Sequence, residues 1–219
     1  MAELMMLRLE GLLQSWGESS AWDNRGTASM PTKSGIVGLL ACAMGLERGC
    51  VEIHALSKAL SVGIRSDRSG TITSDFHTIQ GMPRIKNAAG KPRNGNTIVS
   101  TRWYLQDASF LAVLQAPADW LRRMEAALAD PVWCLYLGRK SCVPSRPVFD
   151  GIHREYQDIP DALFHYPPAE RADSVMAFEV ETPLEFAASL SRADVTAVGR
   201  EFEKRRVWRG SIRREQICT

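Results

Sequence analysis

No two cysteines in the sequence are spaced as CxxC, and its four histidines form no zinc-ligand pattern with them. The five cysteines (Cys42, Cys50, Cys134, Cys142 and Cys218) are odd in number and scattered, so a disulfide framework is excluded and reduced thiols are expected. The N-terminal MAELMMLRLEGLL is too short and too charged for a signal peptide or a spanning helix, which predicts a cytoplasmic protein with no membrane contact. GxSxG, HExxH and acidic metal clusters are all missing, so no catalytic set, metal or cofactor is expected. One absence is local. From Gly81 to Gln106 the chain has no Asp or Glu, although its net charge is only +2.

What is present suffices for a substantial core: 219 residues, 45% of them hydrophobic. Alternation from Leu4 to Glu10 predicts a strand with Met5, Leu7 and Leu9 on one face. A polar loop follows from Gly11 to Met30, then a helix from Pro31 to Leu46 that Thr32 or Ser34 can cap. A short helix from Val51 to Leu60 precedes strands at Ser61–Ser66 and Thr71–Ile79, joined by the turn SDRSG. Ala108 to Gln115 is apolar on both faces, as a central strand requires. Pro117 to Asp130 reads as an amphipathic helix with Trp120, Leu121, Met124 and Leu128 inward and Arg122 and Arg123 outward. The order of these elements suggests a ferredoxin-like α+β unit over residues 1–135. Residues 136–219 read as a smaller, mostly β part, in which Glu179 and Glu181 alternate on a strand and are expected to face solvent.

Three stretches carry chemistry. MPTKSGIVGLL places Lys33-Ser34-Gly35 at the start of a helix, as a nucleotide-binding loop would. A Walker A loop needs glycine directly before its lysine and again five residues before that, and here those positions are Thr32 and Thr27. Triphosphate binding is excluded, whereas a helix N-terminus beside a lysine still suits some phosphate. In YLGRKSCVPSRPVF, Gly138, Arg139, Lys140 and Ser141 offer a turn with two cations and a hydroxyl, chemistry for a sugar–phosphate backbone. The third stretch is the acid-free segment, with Arg84, Lys86, Lys91, Arg93 and Arg102. It also holds the aromatics Trp103 and Tyr104, and His77 lies just before it, the mixture that single-stranded RNA binding uses.

The series LLQSWG, MPTKSGIVGLLACAMG, DFHTIQG, YLQDASF, YLGRKSCVPSRPVF and REFEKRRVWRG resembles the CasD subunits of type I-E CRISPR Cascade, in order and spacing, from Leu4 to about Arg209. The resemblance implies an RRM-like ferredoxin fold of the RAMP superfamily with an extended thumb hairpin at about 78–103 and a smaller C-terminal β part. It implies a non-catalytic subunit that binds the 5′ handle of the guide RNA, caps one end of the complex and contacts the backbone subunit CasC through its thumb. The large subunit CasA is a further expected partner. The helix start and the GRKSC turn correspond to handle-contacting loops, which nominates Lys33, Ser34, Gly35, Gly138, Arg139, Lys140 and Ser141, together with Arg25. His77, Arg84, Lys86, Lys91, Arg93, Arg102 and Trp103 are nominated on or beside the thumb. The alternative is a metal-independent endoribonuclease that processes repeat RNA, as in type I-C relatives, with His77, His153 and Tyr156 as its first suspects.

Overall fold

The computed structural model describes residues 3–18, 23–81, 85–86, 90–92, 97–182, 189–196 and 202–217. The chain begins with β1 (Leu4–Gln14) and the short β2 (Asn24–Arg25), followed by α1 (Lys33–Ala43) and α2 (Val51–Ala59). Next come β3 (Ser61–Arg68), β4 (Thr71–Gln80), the long β5 (Thr97–Gln115) and α3 (Ala118–Ala129). The remainder is β6 (Phe149–His153), α4 (Ile159–His165), β7 (Val175–Glu181), β8 (Leu190–Thr196) and β9 (Phe202–Arg213).

One sheet runs β6-β1-β5-β3-β7-β9-β8, and β2 and β4 also pair with β5. All pairings are antiparallel except that of β2 with β5. Strands from both sides of residue 135 therefore share one sheet, β6 lying on β1 and β7 on β3. β1 and β5 are central because they are apolar on both faces. Met5, Leu7 and Leu9 join Phe110, Ala112, Leu114 and the helices α1 and α3 in one core. Leu4 and Met6 join Leu111, Val113, Phe178 and α4 in the other.

α1 starts because the Thr32 hydroxyl accepts from the Gly35 amide at 3.1 Å. The face of α3 that the sequence predicts is the one buried, through Leu121, Met124 and Leu128, while the Arg123 guanidinium stacks on Trp120 at 4.6 Å. β5 outruns the core and pairs with β4 as a hairpin, from Thr71↔Gln106 to Gln80↔Thr97. At its root Asp107 takes a positive φ of 55°, where the strand leaves the core. Arg68 fastens that root: its Nε donates to the Asp107 carbonyl at 2.6 Å and its Nη2 reaches Glu10 at 3.1 Å.

Two expectations need correction. Glu179 alternates as expected but does not face solvent. It is 3% exposed, accepts from Arg205 at 2.9 Å and Arg209 at 2.8 Å, and has Arg192 at 3.5 Å. The cause is β9, which pairs with β7 in the register Glu179↔Arg209 and lays arginines over the acid. Glu181 is half-buried, and Lys33 and Arg205 face it. The C-terminal part also contains a helix, α4, capped by the Asp158 carboxylate on the Asp161 amide at 2.8 Å.

Candidate nucleic-acid interface

The GRKSC turn is held against the end of β1. The Ser15 amide donates to the Leu137 carbonyl at 3.0 Å, Leu137 donates to Cys142 at 2.7 Å, and Cys142 donates back to Arg139 at 2.8 Å. This tight loop brings Gly138 onto the Ser15 backbone, with φ at +90°. A Cβ there would sit 1.7 Å from the Ser15 carbonyl oxygen, so only glycine fits. Gly138→Ala should therefore cost at least ~2 kcal/mol from left-handed strain plus a displaced backbone. A thermal melt should show a Tm lower by about 4–8 °C. An unchanged melt would mean that the loop is not anchored on Ser15.

The anchored loop closes one side of a cavity of about 480 Å³ lined by Arg25, Arg102, Tyr136, Gly138, Arg139, Lys140 and Ser141. Arg25 comes from β2 and Arg102 from β5, neighbours in a parallel register. Arg139 ties these parts together. Its Nη1 donates to the Trp103 carbonyl at 3.1 Å, and its Nη2 donates to the Arg25 carbonyl at 2.8 Å and to that of Gly26 at 3.4 Å. The guanidinium also lies over the Tyr104 ring, 4.7 Å from its centroid.

Several cations elsewhere in the chain are paired with acids. Arg8 and Arg65 share Asp67, Arg68 takes Glu10, and Arg205 takes Glu179. Among the described residues, no carboxylate lies within 4.0 Å of Arg25, Arg102, Arg139 or Lys140. Asp75 stands opposite Arg102 in register, but its carboxylate is near His77, at 3.9 Å. The nearby thiols add no negative charge. Burial pushes the Cys142 thiol up, and burial together with the neighbouring Cys134 does the same for Cys42. Four cations from three segments thus line one concavity with no carboxylate partner among the described residues, an arrangement whose charge suits a chain of phosphates.

The other nominated residues lie elsewhere. None of Lys33, Ser34 and Gly35 lines the cavity. Lys33 is 7% exposed, with its ammonium 2.9 Å from Glu181, which directs it inward in this structure. Gly35 packs against Trp16, where a Cβ would meet the ring at 2.9 Å. His77 sits half-buried on β4, and Lys86 and Lys91 are exposed toward the hairpin tip, where Lys86 bridges to Pro92. Arg84 and Arg93 lie outside the described residues. Trp103 Nε1 donates to Asn24 at 2.8 Å and so helps hold β2 in place. Sequence reasoning missed Tyr136 as a site residue, although it lies two residues before Gly138 in a stretch read only for its cations.

Of the endoribonuclease suspects, His77 is on the hairpin, two residues along β4 from the Asp75 that pairs with Arg102, whereas His153 and Tyr156 are at the opposite end of β1. His153 pairs in register with Leu4, whereas Ser15 touches the basic loop, about 35 Å away along the strand. His153 Nδ1 contacts Glu155 at 2.7 Å, and its ring lies 6.2 Å from Tyr156 and 5.2 Å from Tyr166. Burial, with the Asp150 charge second, pushes Tyr166 up to about 12. Burial and the Glu155 charge also raise Tyr156.

A sheet with helices on both faces, an outrunning hairpin and a cationic cavity at its root fit a class of known proteins. The family model described as CRISPR-associated protein (Cas_Cas5) matches residues 4–216. The chain belongs to that family. It is 32% identical over 185 residues to the CRISPR system Cascade subunit CasD of Escherichia coli strain K12, covering 77% of this chain and 79% of that protein. Among solved structures, a chain of a CRISPR RNA-guided surveillance complex superposes with a TM-score of 0.78 at 29% identity, over 96% of this chain and 90% of that one. A second, titled as the crystal structure of a Cas protein, gives 0.72 at 32% identity, over 98% and 97%.

Proposed function

We propose that this chain is a non-catalytic, CasD-type subunit of a type I-E Cascade, cytoplasmic, whose cationic cavity holds the 5′ handle of the guide RNA. The observation that carries this reading is the convergence of Arg25, Arg102, Arg139 and Lys140 on one cavity without a pairing carboxylate. The relatives supply the setting, a Cascade subunit and an RNA-guided complex. The core reads as RRM-like: β6-β1-β5-β3 are mutually antiparallel in the ferredoxin order, with α1 and α2 following β1 and α3 following β5.

The subunit caps one end of the complex, and the β4–β5 hairpin is the thumb that meets the CasC backbone subunit. Phe76, 72% exposed, and Val99 beside Thr78 give the thumb an apolar face for that contact. CasA is a further neighbour. The binding-only reading is supported by the distance of His153 and Tyr156 from the cations and by tyrosines that are poor proton carriers near neutral pH. Incubating the purified chain with its own repeat RNA in EDTA tests it. RNA should be bound and recovered intact. Specific cleavage that His77→Ala, His153→Ala or Tyr156→Phe removes would establish the endoribonuclease instead.

A further inference from the structure

Tyr136 is the aromatic residue in the wall of the cavity and is half-buried there. Among the described residues its ring stacks on no other ring and its hydroxyl makes no hydrogen bond. The neighbouring aromatics are already engaged, Tyr104 by the Arg139 guanidinium and Trp103 through Nε1 on Asn24. Beside Tyr136 the Arg102 Nε is buried with no hydrogen-bond partner, a donor left unmet at the cavity wall. The cavity, at about 480 Å³, is of the size that takes one small ligand, ~300–1,000 Å³.

We propose that this cavity takes a single unstacked nucleotide of the RNA, its base lying on the Tyr136 ring and its flanking phosphates on Arg25, Arg102 and Lys140. The inference rests on the handle-binding reading above and adds a base subsite to it. Arg139 is not counted among the phosphate ligands, because its guanidinium is engaged by three backbone carbonyls. An aromatic face accepts any base, so this subsite fixes the register of the RNA by geometry rather than by base identity.

The test is fluorescence anisotropy of the full chain with a labelled single-stranded RNA carrying the 5′ handle of its own repeat, measured over a range of salt. Tyr136→Ala should weaken binding by about 5- to 150-fold, the worth of one stacked base, and leave the salt slope unchanged. Tyr136→Trp should retain the affinity. Arg102→Ala and Lys140→Ala should each make the slope of log K against log salt shallower by about 0.7. Removing the base at one handle position should reproduce the Tyr136→Ala loss, and the two changes together should not add. Wild-type affinity in Tyr136→Ala, with the cation variants weakened, would overturn the subsite and leave the handle site standing. An equal loss in Tyr136→Trp would also overturn it, since the ring would then be structural. Wild-type affinity in the cation variants would overturn the site itself.

Discussion

Replacing Arg25, Arg102 and Lys140 together with glutamate is expected to lower affinity for the guide RNA about 1,000-fold or more and to leave the protein folded. Each cation removed from a phosphate loses a charge-assisted hydrogen bond of ~1.5 kcal/mol or more, and each carboxylate adds repulsion. The fold should survive because, among the described residues, none of the three side chains makes an ion pair or hydrogen bond within the protein. That separates them from Arg139, whose removal would release β2 and the strand at Trp103 from the basic loop. The measurement is RNA retention by the purified variant, with a melt alongside. A folded triple variant that still retains RNA would place the binding site elsewhere.

The largest effect on stability is expected at Asp67, which does not line the cationic cavity. Its carboxylate is fully buried and accepts from Arg8 at 2.5 Å, from Arg65 at 2.6 Å and from the Ala169 amide at 2.7 Å. Arg65 in turn donates to the carbonyls of Leu163 at 2.6 Å and Tyr166 at 2.9 Å, the open end of α4. Arg8 donates to the Pro167 carbonyl at 2.9 Å. Asp67→Ala leaves the buried Arg65 without a carboxylate and Arg8 with only Asp150, 3.4 Å from its Nε, which costs ~3–5 kcal/mol. For a chain of this size that lowers Tm by about 6–20 °C. Asp67→Asn should recover part of the loss by keeping an acceptor. A Tm within a degree of wild type would show that Arg8 and Arg65 find other partners.

The first half of the fold is legible in the sequence because its signals are local. Alternation marks β1, β3 and β4, SDRSG marks the turn between the last two, and helical periodicity marks α3. The C-terminal part yields less. α4 is 7 residues long, too short for periodicity, and only Asp158, Pro160 and Asp161 mark its start. Glu179 illustrates a deeper limit. An acid alternating on a strand reads as a solvent-facing residue until β9, some thirty residues later, lays Arg205 and Arg209 over it. Lys33 is similar, since nothing beside it in sequence tells of Glu181.

The candidate site was half legible for the same reason. Gly138 to Ser141 is one contiguous stretch, and its charge is visible at once. That Arg25 and Arg102 converge on it follows only from the β2–β5 pairing, and that Arg139 serves as a strut follows only from the carbonyls it meets. Tyr136 gave one usable signal, an aromatic residue two positions before a glycine–cation turn.

Ultraviolet crosslinking of the chain to its guide RNA, with the adducts located by mass spectrometry, tests the central claim most directly. Adducts are predicted within residues 136–141 and around Arg102. Adducts absent from both segments and found instead at the α1 start or beside His153 would contradict it.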